Sequence, residues 1–419
     1  MNNIFTFASG ELSQDAFICW CLNWINEPDT IATHRYRQLG LDLLAKLIDN
    51  LSEKNQLSNV DINSIDNIIL VQQVLNIDVL AIIPQYNLAI IIEDKINTSE
   101  HDNQISSYKG LLKTVFDNKK PWNAYNKLEK AFKSVNLNID HADIAKYNIH
   151  TVYFKTGYYF DYDWQVAHSD SEVDNYLTGP MFWDILKNYN DCESDILRGY
   201  CEHLKQQLDW CQSVSKINGR YDDGEHYIKW ERITQHGFLQ VLFDNESLDG
   251  TWLWKDMSTY PNQYSTGTNQ GGSPWTNRRF WNRTESKAIW SDPPTSFKPR
   301  LFWRVDHDSK GPYLSLRYYR EASNESDEII RKNIYDKLSD IIYSTIGNEK
   351  DELNRLYKNC ISQVHYGNHK ENRLIHITIL SVLDSWDTNQ GKPFIDLIRG
   401  IDNKLREVIE AFDWKSFNL

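Results

Sequence analysis

The chain of 419 residues contains no apolar run approaching the ~18 residues that a membrane-spanning helix needs, so no such helix is expected. It has no Cys-x-x-Cys pair. Its six cysteines (Cys19, Cys21, Cys192, Cys201, Cys211 and Cys360) are dispersed, which argues against a disulfide frame or a thiolate zinc site and predicts reduced, mostly buried thiols. There is no P-loop and no Gly-x-Gly-x-x-Gly, so nothing signals a nucleoside triphosphate or a dinucleotide. His365 and His369 are four apart, but the glutamate of a His-Glu-x-x-His site is missing. The opening MNNIFTFASG lacks a basic segment followed by an apolar one, and the expected location is the cytoplasm. Positive charge is also short. Lys and Arg number 45 against 58 Asp and Glu, a net charge of −13, which argues against nonspecific coating of a duplex. The shortage is uneven. Residues 1–215 hold 17 basic and 29 acidic residues, and residues 216–419 hold 28 and 29. An acidic half that handles a polyanion needs basic help, and the second half is where that help is expected.

What is present centres on Asn76–Tyr108. Two runs rich in Ile and Val, Ile77–Ile83 and Leu88–Ile92, flank Pro84-Gln85-Tyr86-Asn87, whose composition predicts a turn and hence a β-hairpin. With Ile83 facing Leu88 the pairing indices sum to 171, which sets Asp78 opposite Glu93. Directly paired side chains share a face. Lys95, two residues beyond Glu93, points to that face as well. Facing like charges repel, and a lysine together with a divalent cation would offset that repulsion. Carboxylate oxygens suit Mg²⁺ or Mn²⁺. An ion with open positions polarises a phosphoryl oxygen and acidifies water, and a lysine can orient that water and offset charge on the phosphate. The combination is that of phosphodiester hydrolysis. The plainer alternative is an edge hairpin that ends in a solvated salt bridge.

Asp78, followed by Glu93-Asp94-Lys95 at the end of an apolar strand, resembles the core motif of the PD-(D/E)XK nuclease superfamily. Gln104 and Tyr108 resemble the Gln-x-x-x-Tyr helix motif of one large branch. Ala8–Phe17 resembles the opening helix of bacterial members, in which a glutamate, here Glu11, often faces the site. The chain departs from the name-giving pattern in having Ile77 before Asp78, where that pattern has proline. The acidic-x-Lys triplet recurs elsewhere, as at Glu285-Ser286-Lys287, but without an isoleucine-rich strand before it or an opposed acid. The resemblance covers about the first half of the chain. It implies that Asp78 and Glu93 bind the metal with help from the Asp94 carbonyl, and that Glu11 is a further ligand. It implies that Lys95 positions or activates water, and that Gln104 and Tyr108 support the site or touch the nucleic-acid backbone.

Along the chain, helices are expected at Ser13–Ile25, Tyr36–Leu51, Glu100–Phe116, Met181–Tyr189 and Asp191–Cys211, and further strands at Ile68–Val74 and Ile149–Lys155. The strand–helix–strand order predicts a parallel neighbour for the catalytic strand. Lys109 and Lys113 flank the Gln104–Tyr108 face. His101 is a secondary ligand candidate. The aromatic-acidic stretch Tyr158–Trp164 is read as a cap on the core. The polar run Ser215–Glu225 marks a boundary. Beyond it, strands are expected at His226–Arg232, Gly237–Phe243, Arg300–Val305, Tyr313–Tyr319 and Leu374–Val382, with helices at 325–346 and 394–412. Residues 273–320 carry ten basic and four acidic residues. The arginines there, Arg278, Arg279 and Arg283 among them, suit nucleic-acid contact or a cation–π-decorated core.

The expected architecture is an α/β, restriction-endonuclease-like mixed sheet flanked by helices (residues 1–215). An α+β accessory domain with aromatic-rich strands follows (216–419), for specificity, nucleic-acid or partner binding, or dimerisation. The expected activity is that of a Mg²⁺- or Mn²⁺-dependent nuclease acting on DNA in preference to RNA, with homo-oligomerisation compatible and a defence role by analogy. The alternative is a catalytically silent scaffold on the same fold.

Overall fold

A computed structural model of the protein describes residues 3–49, 60–99, 104–118, 122–134, 147–168, 173–215, 217, 229–244, 253–256, 263–269, 271–280, 300–362, 364–367, 369–383 and 391–412. The chain divides into two compact units, Met1–Cys211 and Gln212–Leu419.

The first unit is built on a five-stranded mixed sheet in the order β1-β2-β3-β4-β5: Ile69–Val74, Ile77–Ile83, Leu88–Lys95, Asn148–Lys155 and Asn175–Thr178. β1, β2 and β3 form an antiparallel meander, while β4 pairs parallel to β3 and β5 parallel to β4, as the strand–helix–strand order predicts. Asn87 closes the β2–β3 turn with φ 48°, a left-handed conformation that asparagine tolerates. β3 is central and buried along its whole length. On one face, Val79, Ala81, Ile90 and Ile92 pack against α1 (Glu11–Asn23), α2 (His34–Leu47) and residues from Phe182 to Leu204. On the other, Leu80, Ile82, Ala89 and Ile91 pack against α3 (Gln104–Asn118) and α4 (Trp122–Ser134) through Tyr108, Leu112, Tyr125 and Phe132. Tyr158, Tyr159 and Trp164 are buried, consistent with the cap reading, although Asp161–Ala167 forms a short helix, α5. β5 is only four residues long, too short for its alternation to stand out. All six cysteines are free thiols, four of them buried.

The second unit holds a six-stranded antiparallel sheet, ordered β10-β11-β9-β8-β7-β6. Its strands are β6 (Tyr264–Thr268), β7 (Pro274–Arg279), β8 (Arg300–Asp308), β9 (Gly311–Tyr319), β10 (Ile361–Ser362) and β11 (Glu371–Thr378). Three expected strands are corrected here. Gly237–Phe243 is not a strand but belongs to a helix, Arg232–Phe243; every residue from Ile233 to Leu242 is buried, so no polar stripe reveals the helical period. The expected strand at His226–Arg232 has its first three residues outside the described set, and Arg232 opens that helix. The strand expected to reach Val382 ends at Thr378, and Leu380–Leu383 is a helical turn. Among the described residues, no helix is long and apolar enough to cross a membrane.

Candidate active site

Burial fixes the hairpin. Val79–Ile83 and Leu88–Ile92 comprise ten apolar residues, all fully buried. Each large side chain among them contributes roughly 1.5–3 kcal/mol, whereas facing like charges cost at most roughly 1 kcal/mol. The apolar strands therefore choose the register, and the acids go where it takes them. Pairing runs from Ile83↔Leu88 to Val79↔Ile92, the register that the index sum predicts, and Asp78 and Glu93 are the next residues beyond the end of that ladder.

Strand alternation turns Asp78, Glu93 and Lys95 to the face covered by α3 and α4, and Asp94 to the face covered by α1. Lys95 Nζ lies 2.5 Å from Glu93 Oε1, 3.1 Å from the Asp94 carbonyl oxygen and 3.6 Å from Asp78 Oδ2. Asp78 Oδ2 also accepts from the Asp94 backbone N–H at 3.0 Å, where the β2–β3 ladder ends. Burial alone would lower the Lys95 pKa. Glu93, then Asp78 and Glu11, outweigh it and hold the amine above the usual lysine range. The resting amine is a protonated donor, not a free base.

Glu11 opens α1, and its Oε1 accepts from the Ile96 N–H at 3.2 Å and from the Thr98 hydroxyl. It thus clasps the chain just after Lys95. Gln104 is the first residue of α3. Tyr108, one turn on, is buried on the same sheet face as the Asp78–Glu93–Lys95 group, packed with Ala89 and Ile91. Lys109 points to Asp174, 3.1 Å away, and Lys113 is exposed. His101 and Arg283 lie outside the described residues. Arg278 is turned inward, contrary to a nucleic-acid role. It is buried, 3.3 Å from Asp244, and its guanidinium stacks 4.6 Å from the Phe243 ring centroid. Arg279, the next residue on β7, points to the other sheet face and is half-buried.

Three residues at the site escaped the sequence reading. Gln14 Nε2 donates to Asp94 Oδ1 at 2.5 Å, and Gln14 Oε1 accepts from Thr156 and Tyr200, both at 2.8 Å. This buried amide joins α1 to the back of the catalytic strand. Asp15 sits beside it. Burial, then the charge of Asp78, pushes the Asp15 carboxyl up to about 7. Burial, then Asp15, pushes Asp94 well above the carboxylate range. Among the described residues, Asp15 Oδ1 and Asp94 Oδ2 have no other hydrogen-bond partner, and two carboxyls in contact favour holding one proton between them. Gln73 is the third residue; its amide reaches both Asp15 and Asp78. A signal existed for the first two. Glu11, Gln14 and Asp15 fall at i, i+3 and i+4, one polar face on a helix whose other residues, Ser13 and Asn23 apart, are apolar.

Among the described residues, no three His, Cys, Asp or Glu side chains converge as a ready metal cage. The donor set is instead two carboxylates and a carbonyl around one positive charge, the Lys95 ammonium. All are hard oxygen donors, and three such donors leave room for the water and phosphate oxygens that a six-coordinate Mg²⁺ or Mn²⁺ retains. The residues therefore fit such an ion.

Residues 2–192 match the family model of the PD-(D/E)XK nuclease superfamily. No curated protein and no solved structure matches the chain.

Proposed function

We propose that this chain, whose residues 2–192 belong to the PD-(D/E)XK nuclease superfamily, is a nuclease that hydrolyses phosphodiester bonds with Mg²⁺ or Mn²⁺ and takes DNA in preference to RNA. The observation that carries this reading is the convergence of Glu93, the Asp94 carbonyl and Asp78 on the Lys95 amine. Asp78, Glu93 and the Asp94 carbonyl would hold the ion, with Glu11 as a further donor. When bound, the ion supplies Lewis acidity toward the phosphoryl oxygen and lowers the pKa of water. Lys95 donates hydrogen bonds from its ammonium, orients the attacking water and offsets the negative charge that grows on the phosphate. Gln104 and Tyr108 support the site from the helix that covers this face. The exposed Lys113 and the half-buried Arg279 remain candidates for backbone phosphates; Lys109 reaches them only by leaving Asp174. The second unit is an accessory module for specificity, partner binding or dimerisation. Defence against foreign DNA is the setting by superfamily analogy alone.

The test is incubation of the full chain with linear, circular and single-stranded DNA and with RNA, with and without Mn²⁺. Cleavage of DNA that requires the ion is expected. Intact substrates under every condition would remove the nuclease reading.

A further inference from the structure

The turn that leads into Asp78 has an unusual backbone. Gln73, Leu75 and Asn76 have left-handed φ of 51°, 57° and 65°. Leu75 and Asn76 form the two-residue connection between Val74 and Ile77, where a type I′ hairpin demands positive φ. Gln73 has no such excuse. It lies within β1, where the pairs Gln72↔Val79 and Val74↔Ile77 bracket it and set it opposite Asp78. A strand residue in this conformation persists only where its surroundings over-determine it.

Those surroundings are polar. The Gln73 carbonyl accepts from Lys127 Nζ of α4 at 3.0 Å. Its Nε2 donates to Asp15 Oδ2 and to Asp78 Oδ1, each at 3.3 Å. The amide thus stands between two carboxyls that otherwise repel. Asp78 Oδ2 is already held by the Asp94 N–H. With Gln73 on Oδ1, both oxygens of Asp78 are pinned, and the plane of the carboxylate is fixed beside Lys95.

We propose that Gln73 is a positioning residue for the metal site: its left-handed backbone aims one carboxamide at Asp15 and Asp78 together and so sets the orientation of Asp78. The inference rests on the metal-dependent reading above. Gln73→Gly separates the two parts of the idea, because glycine adopts this φ without strain while removing the amide. Gln73→Asn keeps an amide and tolerates the backbone but is one methylene shorter.

The experiment compares the full-length parent and both variants by Mn²⁺ calorimetry, thermal melting and crystal structure. For Gln73→Gly the melting temperature should be unchanged or raised, Mn²⁺ affinity should fall about 10-fold or more, and the Asp78 carboxylate should rotate from its place. Gln73→Asn should lose less affinity. Unchanged affinity in Gln73→Gly, or an Asp78 that keeps its place, overturns the proposal. A parent chain that binds no Mn²⁺ defeats the metal reading itself, and the position of Asp78 in the Gln73→Gly crystal then decides the role of Gln73 alone.

Discussion

Each unit carries a cluster of charge on its sheet, and the two clusters are balanced in opposite ways. In the second unit, Arg304 and Arg317 share Asp306 and Glu371, with Arg304 Nη2 2.9 Å from Asp306 and Arg304 Nη1 3.2 Å from Glu371. Arg304 lies over Trp275 and Arg373 over Tyr313, each 4.6 Å from the ring centroid. The Tyr313 hydroxyl accepts from both Arg317 and Arg373. Asn269 and Ser315 take further guanidinium N–H groups. Here the acids and neutral acceptors are already matched to planar guanidiniums, which is the bidentate, ring-faced geometry of a structural network. In the first unit one amine faces Glu93, Asp78 and Glu11, with Asp15 and Asp94 behind them. That cluster is short of positive charge. Buried charge by itself says little about function; its sign excess does. A saturated network holds a fold together, whereas an acidic surplus on rigid strands is suited to recruiting a cation.

Replacing the central cation of each cluster should have opposite consequences. Lys95→Ala should reduce ion-dependent cleavage by about 10²–10³-fold or more, the scale on which an electrostatic donor to a transition state acts. The variant should still fold, because the apolar register of β2 and β3 is untouched. Kinetics alongside circular dichroism check this, and a fully active variant removes Lys95 from the chemistry. Arg304→Ala should do the reverse. It leaves Asp306 and Glu371 with fewer partners and should cost about 3 kcal/mol of stability in denaturant unfolding, with cleavage retained under native conditions. Lost cleavage at undiminished stability would mean that the arginine face contacts substrate, and the contrast between the clusters would collapse.

The hairpin and the placement of Asp78, Glu93 and Lys95 were legible because both strands are apolar without interruption and the loop is short, so a single index sum fixes every partner. The surrounding ring was not. The spacing of Gln14 and Asp15 marks a polar face on α1 but not what that face meets, and only tertiary packing brings Gln14 to Asp94 and Gln73 to Asp15 and Asp78. The arginine-rich segment misled for a related reason. Counting residues 273–320 gives a positive excess, but the acids that offset it (Asp244, Glu371 and Asp402) lie outside that window and meet it only in the fold. The helix Arg232–Phe243 was hidden because uniform burial erases periodicity.

A histidine beside the second cluster tests how fully it is saturated. His376 lies on the same sheet face, opposite Ser315, with its ring 4.6 Å from that of Tyr313. Among the described residues, its Nδ1 is buried without a hydrogen-bond partner. Burial, then Arg373, lowers its pKa from 6.5 to about 4, with Arg317 and Lys310 acting in the same direction and Asp308 against. The unfolded chain takes up this proton near 6.5 and the folded chain only near 4. Stability from this group is therefore complete above pH 6.5 and is lost as pH falls toward 4. Denaturant midpoints across that window should decline in the parent chain and decline less in His376→Leu. Parallel slopes would show that the arginine face tolerates one more positive charge, and would make it the kind of surface that the first unit lacks.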